Sequence, residues 1–226
     1  MTTSAIRTSW AEQFGRPDPK VVCVGLNYFD HAGESQMELP KAPLLFAKFA
    51  NTLIGDGDPI VLPAAVGHVD AEAELAVVIG ARARDVPAER AFEVVAGYTC
   101  ANDLSAREVQ FADGQWFRGK GFDGFCPLGP RIVPPEAFDP SDVRVVQRLN
   151  GEVLQDASTR LLIFDVATLI AYISATLTLE RGDIILTGTP SGVGYFRDPK
   201  IALKDGDVVE VEVEGIGVLR NEVRAG

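Results

Sequence analysis

Asp70, Glu72 and Glu74 alternate with small apolar residues in the run Val69-Asp70-Ala71-Glu72-Ala73-Glu74-Leu75-Ala76-Val77-Val78-Ile79. Alternation is the period of a β-strand, on which side chains at i and i+2 share a face about 6–7 Å apart. Carboxylates that close repel unless water or a cation lies between them. A hard ion such as Mg²⁺ binds oxygen ligands, usually one or two carboxylates plus waters. The stretch is therefore either a solvated acidic face or part of a metal site that needs a third ligand from elsewhere. Its apolar continuation through Ala76 and Val78 carries the face inward and favours the metal. A second pairing is His31 with Glu34. Residues three apart share a face of one helical turn, so the carboxylate could hydrogen-bond the imidazole. Histidine is the side chain best suited to take a proton near neutral pH, and this chain has two. His68, just ahead of the acidic strand, reads as structural.

These residues need a scaffold. At 226 residues, 46% hydrophobic and 23% charged, the chain suits one sizeable core, or one core with a small annex. Residues 1–20 read as a polar N-terminal arm, and residues 21–226 as one catalytic domain. Short strands are expected at 20–25, 44–49, 59–63, 69–79, 95–101, 143–149, 152–155, 184–187 and 208–214, with a closing segment at 217–223. Asn150-Gly151 marks a tight hairpin. Helices are expected over 86–95 and, most strongly, over 164–177, where Val166, Leu169, Ile170, Ile173 and Leu177 recur at helical spacing. The stretch 104–117 reads as partly helical. Residues 36–43 read as a loop, as do Arg118–Gly124 and Pro127–Pro130, with Pro134-Pro135 continuing the last. The tally is α+β, mainly β, rather than a doubly wound sheet.

Composition excludes some functions. With 21 Lys and Arg against 32 Asp and Glu, the net charge is −11, which argues against nucleic acid and anionic membranes as partners. A small anionic substrate then needs a locally positive pocket or a metal. Cys23, Cys100 and Cys126 are widely spaced and odd in number, as expected of reduced, buried thiols in a cytoplasmic protein. No signal peptide or membrane-spanning run is expected.

Taken together, a series of motifs resembles the fumarylacetoacetate hydrolase family. They are Gly25-Leu26-Asn27-Tyr28-x-x-His31-x-x-Glu34, Asp70-Ala71-Glu72-Ala73-Glu74-Leu75, Asn102-Asp103-Leu104-Ser105-Ala106-Arg107 and Gly119-Lys120-Gly121-Phe122-Asp123. Leu128-Gly129-Pro130, Asn150-Gly151 with Gln155, Gly182-Asp183-Ile184-Ile185, Thr187-Gly188-Thr189-Pro190 and Gly206-Asp207 follow in family order. The resemblance implies a mixed β-sheet roll like the C-terminal domain of the enzyme that names the family, flanked by a few helices and commonly a homodimer. It implies that Glu72, Glu74 and Asp103 hold Mg²⁺ or Mn²⁺, and that Lys120 sits beside the metal to stabilise a carboxylate or enolate oxygen. It implies a His31–Glu34 dyad on a lid-like segment. Gln110 would contact substrate, and Thr189 would meet it or simply pack a turn. Arg107 would be either a substrate contact or an ion-pair partner, and Lys48 a lysine near the site.

Relative to the large hydrolase, no N-terminal domain is expected here. The chain has Gly114 at a substrate-facing tyrosine's position and Gly124 at a threonine's. It is closer to the compact bacterial members, which act on acylpyruvates, fumarylpyruvate, oxaloacetate or the hydroxymuconate-type diacids of aromatic catabolism. The expected activity is cleavage of a carbon–carbon bond in a 2,4-dioxo acid. His31 would activate water, and pyruvate enolate would leave. Decarboxylation of oxaloacetate and isomerisation of a 2-hydroxymuconate or 2-hydroxyhepta-2,4-diene-1,7-dioate are alternatives at the same site. A non-catalytic binding module is the alternative of another class.

Overall fold

The structure, a computed structural model, describes residues 5–35 and 38–226. Gln36 and Met37, which begin the expected loop at 36–43, lie outside the described residues. The chain runs through α1 (Ala5–Phe14), β1 (Val21–Gly25), α2 (Phe29–Ser35), β2 (Leu44–Lys48), β3 (Leu53–Ile54), β4 (Ile60–Leu62), β5 (Val69–Asp70) and β6 (Ala73–Ile79). It continues through β7 (Val95–Asn102), β8 (Ser105–Ala106), α3 (Arg107–Asp113), α4 (Phe117–Lys120), β9 (Cys126–Val133), β10 (Arg144–Leu149) and β11 (Glu152–Ser158). Helix α5 (Val166–Thr176), β12 (Ile184–Leu186), β13 (Val208–Val213) and β14 (Gly217–Ala225) complete it.

The strands form a seven-stranded mixed sheet ordered β2-β1-β12-β6-β7-β9-β3, a five-stranded sheet ordered β11-β10-β13-β14-β4, and the short pair β5-β8. The α+β, strand-rich class read from the sequence is the class observed. One face of the large sheet (Leu75, Val77, Tyr98) shares a core with Val145, Val211 and Leu219 of the second sheet and with Leu169, Ile170 and Ile173 of α5. Its other face (Ala76, Val78, Ile184, Leu186) packs with Trp10 and Phe14 of α1. Strand β6 is thus buried along its whole length on both faces. A strand so enclosed cannot present carboxylates to bulk solvent, so the solvated-face reading of the acidic stretch fails.

Several expectations are corrected. The acidic run is two strands, not one. β5 pairs with β8 and β6 with β12 and β7, leaving Ala71 and Glu72 as the step between them. There the Glu72 backbone N–H donates to Asn102 Oδ1 at 3.1 Å. Within the expected N-terminal arm, Ala5–Phe14 is a helix whose Trp10 and Phe14 are buried. Residues Ala88–Val94 form a 3₁₀ helix instead of an α-helix. The proline-rich stretch 127–130 lies within β9, where the pairing with β7 is irregular between Tyr98 and Cys100; prolines are tolerated where the ladder is already broken. The expected glycine loop at 118–124 begins as the helical turn α4. Other readings hold. Asn150 and Gly151 carry positive φ of 54° and 84° in a two-residue hairpin turn, and the helix expected over 164–177 is α5, with a cap at Asp165, accepting from Thr168 N–H, that the sequence reading did not name.

Gly119 sets how closely α4 approaches α3. A Cβ there would lie 2.7 Å from both the backbone N and the Cβ of Gln110. Only a residue without a side chain lets the turn carrying Lys120 seat at this depth. Gly119→Ala is expected to cost about 1–3 kcal/mol through overpacking, read as a lower urea midpoint.

Candidate active site

The site forms where β6 meets the ends of β7 and the 187–192 turn. Glu72 and Glu74 come from the step before β6 and from β6 itself, and Asp103 follows β7. The three are 5%, 2% and 0% exposed. One carboxylate oxygen from each lies within 4.8 Å of the others. The third ligand that the strand lacked is therefore brought in by pairing of neighbouring strands, with the Asp103 backbone N–H bonded to the Glu72 carbonyl at 2.9 Å.

Cations hold these charges in place. Lys120 Nζ donates to Glu72 Oε2 at 2.7 Å, Asp103 Oδ2 at 2.5 Å and Ser105 Oγ at 2.8 Å. Arg107 donates through Nε to Asp70 Oδ1 at 2.7 Å, through Nη2 to Glu72 Oε1, and through Nη1 to Gln110 Oε1 at 3.1 Å. Arg107 is thus an ion-pair partner that also lines the cavity. Burial by itself would raise the Glu72 carboxyl, but Arg107 and Lys120 overcome that and hold it well below the usual range. Burial likewise opposes the charge on Lys120, yet Asp103 and Glu72 keep the ammonium ionised above its ordinary value. Glu74 accepts from Gly188 N–H at 2.6 Å but, among the described residues, has no such cation in contact. Burial, then repulsion from Asp103 and Glu72, pushes its carboxyl well above the usual range.

Lys48 completes the cluster from beneath. It is fully buried, and its Nζ donates to the carbonyls of Leu104, Lys120 and Phe125. Those three bonds use all three ammonium protons. Nζ also lies 2.7 Å from Asp103 Oδ1, which is left with charge contact but without a hydrogen bond. A buried carboxylate oxygen with open lone pairs, beside two further carboxylates, fits a hard divalent ion. Glu72, Glu74 and Asp103 are the residues that would hold it.

Across the cavity, Glu34 Oε2 lies 3.1 Å from His31 Nδ1 on α2. Glu34 Oε1 accepts from Gly192 N–H at 2.9 Å, and Asp30 Oδ2 accepts from Ser191 Oγ at 2.8 Å. The short helix is thus fastened to the 190s loop at both ends. The His31 ring meets Phe196 edge-on, 5.7 Å between centroids. Glu72, Glu74, Asp103, Lys120, Arg107, Gln110, Thr189 and His31 all line one cavity of about 60 Å³. Every residue expected at the site borders it except Glu34, which acts on His31. Thr189 Oγ1 donates to Ala73 O at 2.9 Å and accepts from Gln155 Nε2 at 2.8 Å. Its hydroxyl is committed to holding the turn on β6. His68 stays outside the cavity, 3.9 Å from Asp70 Oδ2 and edge-on to Tyr195.

Sequence reasoning did not anticipate the aromatic wall of Phe46, Phe111, Trp116 and Phe196. These residues come from four separate segments and follow no shared period. The cysteines are buried and free, with burial pushing Cys100 and Cys126 up to about 12, so their thiols are inert at neutral pH. No helix among the described residues is long and apolar enough to cross a membrane.

Comparison with known proteins identifies the chain's relatives. The family described as fumarylacetoacetate (FAA) hydrolase C-terminal matches residues 20–224. A mitochondrial oxaloacetate tautomerase from Homo sapiens is 48% identical over 211 residues, covering 92% of this chain and 67% of its own. The crystal structure of 5-carboxymethyl-2-hydroxymuconate delta-isomerase from Mycobacterium smegmatis superposes with a TM-score of 0.83 at 49% identity, covering 92% of this chain and 79% of the other. Fumarylacetoacetate hydrolase from Exiguobacterium antarcticum gives 0.86 at 46% identity, covering 92% and 76%.

The raised carboxyl of Glu74 predicts a proton cost for metal binding. A carboxyl pushed upward holds its proton to higher pH, and a metal binds only the ionised form. Affinity for Mg²⁺ or Mn²⁺ is therefore expected to rise with pH, by up to about tenfold per unit while Glu74 remains protonated in the free protein. Calorimetry in two buffers of different ionisation heat checks this, since proton release makes the observed enthalpies differ. Glu74→Gln is expected to weaken binding and flatten the pH dependence.

Proposed function

The chain belongs to the fumarylacetoacetate (FAA) hydrolase C-terminal family, and we propose that it moves a proton next to the carbonyl of a small, anionic 2-oxo acid. The reaction is keto–enol tautomerisation or double-bond migration, with oxaloacetate as the type substrate. The observation that carries this reading is the disposition of groups about one small cavity: a carboxylate cluster with a charged lysine on one side, and an oriented histidine on the other.

A divalent cation held by Glu72, Glu74 and Asp103 would supply a Lewis acid for the 2-oxo and carboxylate oxygens. The chain's own residues do the rest. Lys120, ionised in spite of its burial, stabilises the negative charge that develops on the C2 oxygen. His31 holds the moving proton at its other ring nitrogen, Nε2, while Glu34 fixes the ring through Nδ1. In the ketonising direction the enol O–H bond breaks and a C3–H bond forms, so one proton leaves oxygen and one arrives at carbon. Arg107 draws on Gln110 Oε1, leaving the amide N–H₂ of Gln110 to meet a carboxylate. Phe46, Phe111, Trp116 and Phe196 keep bulk water away from the carbanion-like centre.

The relatives named as an oxaloacetate tautomerase and a hydroxymuconate delta-isomerase support proton relocation. Hydrolysis of a 2,4-dioxo acid is the second reading, favoured by the neighbour named as a hydrolase. It calls on the same dyad to activate a water. A compact cavity with an aromatic back wall suits a short acid better than an acid with an acyl tail plus an attacking water.

Purified protein is expected to speed the decay of enol-oxaloacetate absorbance, to lose this with chelator, and to regain it with Mg²⁺ or Mn²⁺. Release of pyruvate from an acylpyruvate without any ketonisation would overturn the tautomerase reading in favour of hydrolysis. His31→Ala is expected to lower turnover by about 10²–10⁴-fold, with metal affinity by calorimetry unchanged.

A further inference from the structure

We infer that Trp116 is a partition that sets how long an acid the site admits; the inference rests on the proton-transfer reading above. Trp116 and Phe46 face two spaces. On one side is the cavity of about 60 Å³ that holds the carboxylates, Lys120 and His31. On the other is a groove of about 620 Å³, lined also by Leu44, Ala47, Gly114 and Phe117. The two rings meet edge-on, 5.3 Å between centroids at 70°, and both side chains line each space. Among the described residues, no other lines both.

The partition is built rather than incidental. The indole lies directly on the backbone of Gly25, where a methyl group would overlap its six-membered ring. Gly25 ends β1 and lines the inner cavity. Its missing side chain makes the seat for Trp116. Phe46 is in turn held from the site side by Lys120, whose Nζ lies 5.0 Å from its ring centroid. The wall therefore stands next to the ammonium that would stabilise the reacting oxygen. An acid chelated with its C1 and C2 ends at the carboxylate cluster and extending toward this wall would stop at the indole.

Beyond the wall the groove offers Leu44, Leu45, Phe46, Ala47 and Phe117. These would take up an alkyl or aryl tail and have no charge to recognise a second carboxylate. Removing the indole should thus join the two spaces and favour 2-oxo acids with apolar tails over short diacids.

The test compares wild type with Trp116→Ala, both loaded with Mg²⁺, on the ketonisation of enol-oxaloacetate and enol-phenylpyruvate. The ratio of kcat/KM for phenylpyruvate over oxaloacetate is expected to rise at least about tenfold, the scale on which pockets discriminate small apolar increments. A folded variant whose ratio stays within about twofold of wild type overturns the partition. Trp116→Leu, which keeps an apolar filler, is expected to give a smaller rise and serves if the alanine variant melts early. Phenylpyruvate binding by calorimetry gives a readout independent of turnover. If wild type ketonises neither acid yet Trp116→Ala binds phenylpyruvate about tenfold more tightly, the function reading falls and the partition stands. If both proteins ketonise oxaloacetate and neither ratio nor affinity moves, the partition falls alone.

Discussion

Three buried carboxylates converging on one point is the constraint from which the rest of this structure follows. Two like charges at 4.8 Å repel by roughly 3.5 kcal/mol at an effective dielectric of about 20. Such a cluster persists only with compensation. Lys120 bridges two of its members, Arg107 ties Glu72 to Asp70, and Lys48 lies under Asp103. Among the described residues no cation contacts Glu74, and its carboxyl rises through burial and the repulsion of Asp103 and Glu72. The compensation is uneven, and the unevenness leaves a place for a further positive charge.

The fold supplies this arrangement by enclosing β6 on both faces. A strand with one wet face would have let water screen the carboxylates. Here the flanking strands β7 and β12 fix the backbone on either side, and the turn after β12 reaches back through Gly188 and Thr189 to Glu74 and Ala73. Gly188 has φ of +100°, and a Cβ there would lie 2.8 Å from Asn27 Cβ. The turn can only be this tight with glycine at that position. Helix α2 is fastened to the same turn region through Asp30 and Glu34. Helix α2, which carries His31, and the carboxylate cluster are thus positioned by one shared loop, so their separation is set by backbone rather than by flexible side chains.

Opposed electrostatics give the cavity its direction. One wall carries the cations Lys120 and Arg107 and the carboxylate oxygens, which on the proposed reading would hold an anionic acid and stabilise charge on its oxygen. The other carries a histidine held by a carboxylate, suited to proton exchange at carbon. Aromatic rings line the remaining side. Polar groups inside a low-dielectric pocket act more strongly on developing charge than the same groups in water, and that is the use of burying them.

Much of this was legible in the residues alone. The alternation in 69–79 pointed to a strand and to an oxygen-ligand site, Asn150-Gly151 to a hairpin, and the spacing of Leu169, Ile170 and Ile173 to α5. Each of these signals is local, because strand period, turn chemistry and helix period act over a few residues. The motifs also carried the family resemblance, and with it Asp103, Lys120 and the His31–Glu34 pair. What the sequence could not decide was whether the acidic face was wet or dry, since that depends on which strands and helices cover it. The break at Ala71-Glu72, the burial of Trp10 and Phe14 on α1, and the strand character of β9 in spite of its prolines are likewise results of pairing or packing with distant partners. Lys48 shows the division most plainly. In sequence it is one lysine in an apolar strand; only the folded chain brings the carbonyls of Leu104, Lys120 and Phe125 around its Nζ and so places that nitrogen beneath Asp103. Local chemistry determined which groups could act, and tertiary packing decided their solvent exposure and mutual distance, because dielectric and separation are properties of the assembled core.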